Sequence, residues 1–183
     1  MPFRSIIDGA ARTRERQIAS KLAGFLTGAK SVLDVGCGSG QLALRISKEF
    51  GAQVQGIDLC APTNPKIPFK LFNGKEIPFK DNSFDVAILV DVLHHVKGQA
   101  NRDKLISECL RVAKHSVIVK DHYYTNFLQK TWLKIVDTLT NLPSGVSTPF
   151  EFVSREQWKM LPSKNAEYWS SFGIPHVLLE LKK

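Results

Sequence analysis

Val32-Leu33-Asp34-Val35-Gly36-Cys37-Gly38-Ser39-Gly40 is the stretch whose reading decides the fold. It starts in a β-branched run, Ser31 to Val35, that reads as a strand, and it breaks into alternate glycines. It then enters a segment in which Leu42, Ile46 and Phe50 share one helical face. Glycines let a backbone turn sharply, and their missing Cβ atoms let a ligand approach closely, with helix N-terminal amides facing it. Outward from this turn the chain alternates strand and helix. An amphipathic helix near 13–27, with Ile18, Leu22, Phe25 and Leu26 on one stripe, precedes it. After it, Gly51 punctuates, Val54 to Ile57 reads as a second strand and Lys70 to Phe72 as a short third. Phe84 to Val90 (FDVAILV) is near-continuously apolar, as a strand buried on both faces must be. Leu105, Ile106, Cys109, Leu110 and Ala113 mark a further helix, and Ser116 to Lys120 a fifth strand.

Beyond that strand, Tyr124, Phe127, Leu128, Trp132, Ile135, Val136 and Leu139 recur at helical spacing, an apolar stripe expected to lie in the core. Residues 142–150 read as a loop, and Ser154 opens a short helix as its cap. His176 to Leu181 reads as a last buried strand, with Tyr168 to Ser171 as its antiparallel partner. The expectation is an α/β chain: a Rossmann-like, doubly wound, mostly parallel sheet of about seven strands with an antiparallel last strand and a short C-terminal part. One domain over 1–183 is expected, with 1–29 as an N-terminal helix or lid, 30–121 as a ligand-binding core, and 122–183 as acceptor-side helices and last strands.

Composition agrees with an ordinary soluble globular domain: 183 residues, 43% hydrophobic and 23% charged. No apolar run reaches the roughly 20 residues of a transmembrane helix, and arginines interrupt the N-terminal segment, so a cytoplasmic protein is expected. Cys37, Cys60 and Cys109 are too scattered for a disulfide framework or a Cys-x-x-Cys metal site. The formal charge of +8 admits an anionic partner, but no dense basic block or aromatic nucleic-acid motif makes it specific. A solvated basic helix face is the expectation.

Two acids sharpen the glycine turn. Asp34 lies beside it, where a carboxylate would repel a pyrophosphate but suits an ammonium or sulfonium. Asp58 ends the next strand, twenty positions past Gly38, where a carboxylate can accept from both hydroxyls of a ribose. A nucleoside with a cationic 5′ substituent, S-adenosylmethionine rather than NAD, answers both. The spacing agrees, being Gly-x-Gly-x-Gly, with Gln41 where the dinucleotide fingerprint has its third glycine.

At these residues the sequence resembles the class I S-adenosylmethionine-dependent methyltransferases, small-molecule type, as in the ubiquinone/menaquinone methyltransferases. VLDVGCGSG is similar to the family's first motif, VQGIDL to its second, and IPFKDNSFDVAILVDVLHHV to the stretch through the fourth strand. The resemblance runs roughly from Lys30 to Lys120. It implies that Gly36, Cys37, Gly38 and Gly40 line the methionine portion, with Asp34 reaching it through water or its amino group. It further implies that Asp58 holds the ribose, Leu59 packs on the adenine, Asn73 and Gly74 meet the adenine edge, and Val90 and Asp91 border the methionine end. Asn73 stands where the family usually has Asp. Residues 111–115 lack the usual Pro-Gly turn, the chain past Ser163 is short for the usual last strands, and the N-terminal segment implies a small lid.

Methyl transfer from a sulfonium needs alignment and exclusion of water, and a base only where the nucleophile carries a proton. Candidate catalytic residues are His94, His95 and His122, which follow the fourth and fifth strands. Asp91, Tyr123 and Tyr124 lie in the same region. Neighbours on a helical turn diverge by about 100°, so at most one of His94 and His95 is expected to face the site. No metal is expected, because no carboxylate pairs with these histidines in sequence. The expected reaction is methyl transfer to a small-molecule acceptor at O, N or C, yielding S-adenosylhomocysteine. Alternatives are an RNA or protein acceptor held by the basic N-terminus, and a silent cofactor-binding scaffold.

Overall fold

Side chains alternate along a strand, so adjacent apolar residues must find partners on opposite sides of a sheet. In the computed structural model, which describes residues 2–141, 151–171 and 173–183, this alternation builds two cores on one sheet. Val32, Ile88, Ile118 and Leu178 pack with Ile18, Leu22 and Leu26 of α1 (Pro2–Leu26) and with Ala43 and Ile46 of α2 (Gln41–Phe50). Their chain neighbours Leu33, Leu89, Val119 and Leu179 pack with Leu105, Ile106, Cys109 and Val112 of α3 (Gln99–Val112). All eight of these strand residues are fully buried.

The strands are β1 (Ser31–Val35), β2 (Gln53–Asp58), β3 (Phe69–Leu71), β4 (Phe84–Val90), β5 (Ala113–Tyr124), β6 (Val153–Ser154), β7 (Ser163–Ser171) and β8 (Ile174–Lys182). They form an 8-stranded sheet in the order β3-β2-β1-β4-β5-β8-β7, with β6 paired to the end of β5. Pairings from β3 to β5 are parallel, and β8 runs antiparallel to both β5 and β7. The chain winds outward from β1 to β3 and then returns to β4 on the other side of β1. The carboxyl ends of β1 and β4 therefore flank the switch point, where open α/β sheets leave a crevice.

Several elements differ from expectation. The N-terminal helix spans Pro2–Leu26 rather than 13–27. The third strand is Phe69–Leu71. β5 runs from Ala113 to Tyr124, so Tyr124 ends a strand instead of joining the following helix. The chain past Ser163 is not short of strands: β7 and β8 each span 9 residues. The apolar stripe of α4 (Phe127–Asn141) is not core. Phe127, Leu128, Trp132, Ile135 and Leu139 are exposed by 77%, 78%, 50%, 47% and 66%, whereas Leu133 is 2% exposed. Periodicity marks an apolar face but not what it packs against, and α4 turns only the Leu133 side toward the body. The loop expected at 142–150 lies outside the described residues. Ser154 caps α5 (Arg155–Lys159) as expected, with Gln157 completing a capping box.

Candidate functional site

The turn after β1 is held from below by β2. Gly36 and Cys37 both donate their N–H to the carbonyl of Ile57, and Gly40 donates to Cys37. Gly36 has φ +76, and a Cβ there would stand 2.5 Å from Val92 Cγ2, so only glycine fits. Gly38 has φ +53, but a Cβ there would meet open space. The packing of the protein thus explains Gly36, while the surface at Gly38 is open. Gly40, in the left-handed region, starts α2.

Asp58 is tied into this turn. Its Oδ2 accepts from Gly38 N at 2.8 Å and its Oδ1 from Leu59 N at 2.7 Å. A carboxylate offers about four lone-pair positions, so each oxygen keeps one for a hydroxyl. Asp34 is only 3% exposed. Burial, reinforced by the nearby charge of Asp58, pushes its carboxyl up to about 7. The same causes, burial first and then Asp34 and Asp58, raise the Cys37 thiol to about 12, so it stays protonated and inert. Leu59 is exposed by 61%, a bare apolar shelf beside Gly74. Asn73 Oδ1 accepts from Lys75 N and Glu76 N at 2.9 and 3.0 Å. Its oxygen is therefore spent on its own loop, and what it has left to offer is its amide donor.

The ends of β4 and β5 carry a second, polar cluster. Asp91, at φ +56, bonds Lys120 Nζ at 2.6 Å, lies 3.3 Å from His122 Nε2 and pairs with Arg14 of α1. Burial works against its charge, but Lys120, His122 and Arg14 together outweigh it and hold the carboxyl well below its usual range. Asp91 is thus already paired with two of the protein's own cations, Lys120 and Arg14. Lys120 is 2% exposed, and the Asp91 carboxylate compensates its burial.

His94 is 1% exposed, and its Nδ1 lies 2.6 Å from Asp121 Oδ1. Burial opposes its protonation, but the charge and hydrogen bond of Asp121, with Asp137, raise it to about 10. His95 is lowered by burial and by the neighbouring His94 charge. His122 is lowered to about 4, by burial first and then by Lys120 against the opposing pull of Asp91. The ring of Phe152 stacks on His94 at 4.9 Å, and His122 lies 4.8 Å from His176 across β5 and β8.

Contrary to the expected divergence, the rings of His94 and His95 sit 3.9 Å apart and both reach Asp137 of α4, at 3.5 and 4.0 Å. The carboxylate missing near these histidines in sequence arrives from a helix forty residues on. Arg14, Lys120, Asp121, Asp137, Phe152 and His176 were not singled out from sequence. Only Lys120 and Asp121 left a signal, two charges directly after the buried run SVIV. Tyr123 and Tyr124 pair with β6, and Tyr123 packs edge-on against Tyr168 instead of joining the His94 cluster.

Comparison with known proteins bears on this geometry. Residues 33–119 match the family model described as a methyltransferase domain. The chain is 31% identical over 97 residues to norajmaline N-methyltransferase of Rauvolfia serpentina, covering 46% of this chain and 32% of that protein. It is 36% identical over 93 residues to 2-phytyl-1,4-naphtoquinone methyltransferase of Nostoc sp., covering 41% of each. The chain thus spans about a third to two fifths of the length of these curated relatives. Its fold matches that of magnesium protoporphyrin IX methyltransferase of Synechocystis, solved with bound S-adenosylhomocysteine. The TM-score is 0.64 at 20% identity, covering 94% of this chain and 83% of that one. The matched residues run from β1 through β5 and contain the glycine turn and both acids. Residues 33–119 thus match a methyltransferase domain, and the described chain has the fold of methyltransferases such as the Synechocystis enzyme.

Proposed function

We propose that the protein transfers a methyl group from S-adenosylmethionine to a small-molecule acceptor at oxygen, nitrogen or carbon. The observation that carries this reading is the pairing at the turn. Gly38 presents open backbone, and Asp58, bonded to the Gly38 and Leu59 amides, keeps acceptor capacity on each oxygen. A ribose diol is the group that takes both. In this reading Gly36, Cys37, Gly38 and Gly40 border the methionine portion, with Val90 beyond them. Asp34 supplies negative charge to an ammonium or sulfonium, Leu59 and Gly74 flank the adenine, and Asn73 donates to a ring nitrogen. Asp91 acts indirectly, by holding Lys120 and Arg14 at the methionine end.

S-adenosylmethionine, when bound, supplies an activated methyl group on a positively charged sulfur. The protein's own task is to orient the acceptor and exclude water. Near the end of β5 and the start of β8, the partly exposed imidazoles of His122 and His176 suit that purpose, backed by the buried His94 and Phe152. His122, neutral at neutral pH, can orient an acceptor hydroxyl or amine through a hydrogen bond. The related N- and quinone-directed enzymes support a small-molecule acceptor. The test is S-adenosylhomocysteine release across a panel of phenols, quinols, secondary amines and carbanion-forming acceptors. Turnover with one class is expected. Tight cofactor binding with no product from any class would instead identify a binding scaffold.

A further inference from the structure

We propose that His94 Nε2, His95 Nδ1 and the Asp137 carboxylate form a binding site for one divalent transition-metal ion of the zinc type, with Asp121 orienting His94 behind it. The ligand atoms of these three residues lie within 4.8 Å of one another. His94 Nε2 is 3.5 Å from Asp137 Oδ1, and His95 Nδ1 is 4.0 Å from Asp137 Oδ2. Two ligands each about 2.1 Å from one ion stand roughly 3.4 Å apart in a tetrahedron, so a small ring rotation closes the set.

Three further observations point to a ligand. First, His94 Nε2, on a side chain only 2% exposed, faces the Asp137 carboxylate at 3.5 Å, too far for a good hydrogen bond. A buried polar atom without such a bond is costly, and an ion is one partner that removes the cost. Second, the other ring nitrogen, Nδ1, lies 2.6 Å from Asp121 Oδ1. That is the carboxylate–histidine–metal arrangement, which turns Nε2 toward the ion, and the ion takes the place of the Nε2 proton on binding. Third, Phe152 stacks on His94 at 4.9 Å with the planes 13° apart, locking the ring in that direction.

Two imidazoles and a carboxylate suit zinc, cobalt(II), iron(II) or manganese(II) better than calcium or magnesium, which prefer all-oxygen shells. Three protein ligands leave at least one position open. It would take an oxygen or nitrogen of the acceptor, which makes a hydroxylated or carbonyl-bearing acceptor the class that fits. Metal binding itself does not depend on the methyl-transfer reading, whereas the ion's role toward an acceptor does.

The test uses the full chain, untagged and stripped by a chelator, dialysed against Zn2+ and separately against Co2+. One equivalent of either ion is expected, with Co2+ giving the visible absorption bands of a low-symmetry nitrogen/oxygen site. His95→Ala and Asp137→Asn change partly exposed residues and spare the fold, as a melt without metal will show, and both should lose the equivalent and the bands. Asp121→Asn should weaken the ion by roughly 10–100-fold. No stoichiometric uptake, or uptake that both ligand variants retain, overturns the site. S-adenosylhomocysteine titrated into the same samples separates the two ideas. Cofactor binding without metal uptake sinks only this inference, while metal uptake without cofactor binding sinks only the proposed function.

Discussion

Asp34 is the residue on which the cofactor pocket and the stability of the fold pull in opposite directions. Unfolded, its carboxyl has the ordinary value of 3.8; folded, burial and Asp58 bring it to about 7. The fold therefore holds the proton more tightly than the unfolded chain does. The contribution is fully present below about pH 4 and is lost as pH rises through 7. Asp34→Asn is expected to be more stable than the wild type at pH 8, by up to ~4 kcal/mol, with the gain vanishing near pH 4. Urea unfolding at the two pH values reads this directly, and equal stability at pH 8 would contradict the burial argument. The same variant should bind S-adenosylhomocysteine more weakly, since it removes the charge offered to the ligand's ammonium. Asp34 and Asp58 were both readable from sequence, because a strand end and a glycine spacing place them by chain geometry alone. Asp137 was not. Its position beside His94 depends on how α4 docks, which no local pattern encodes.

At the scale of elements, α4 shows what periodicity can and cannot say. The spacing of Phe127, Leu128, Trp132, Ile135 and Leu139 correctly marks a helix, but the body of the protein receives the side that carries Leu133 and Asp137. The sheet strands were legible because burial on both faces leaves a continuous apolar run, as in Phe84 to Val90, whose bounds match the observed β4. The ends of β5 were misjudged because Asp121 and His122 are polar, yet the ladder to β8 continues through His122 opposite His176. Two sets of substitutions measure this difference. Leu133→Ala should cost roughly 2–5 kcal/mol through lost burial and a cavity. Leu128→Gln, Trp132→Gln and Ile135→Gln should each stay within about 0.5 kcal/mol. Chemical denaturation of the four variants decides the matter, and a large loss from the exposed set would mean that this face is covered in the folded protein.

Across the whole molecule, α1 reaches toward the carboxyl end of β4 through the Arg14–Asp91 ion pair. Ile18, Leu22 and Leu26 anchor the C-terminal half of α1 in the core, while Arg14 pairs with Asp91 above the carboxyl end of β4. Because Arg14 is 58% exposed, the pair adds little to global stability. Arg14→Ala should leave the unfolding midpoint nearly unchanged yet speed amide hydrogen exchange in α1 before Ile18. Unchanged exchange there would show that the ion pair does not hold the helix down. No helix among the described residues is long and apolar enough to cross a membrane. The account as a whole stands on a carboxylate at the end of β2 that receives a ribose beside an open glycine. Calorimetric titration of S-adenosylhomocysteine into wild type and Asp58→Ala tests it most directly. The account predicts saturable heat with the wild type and none with a folded Asp58→Ala. Equal binding by both proteins, or no heat from the wild type, would contradict it.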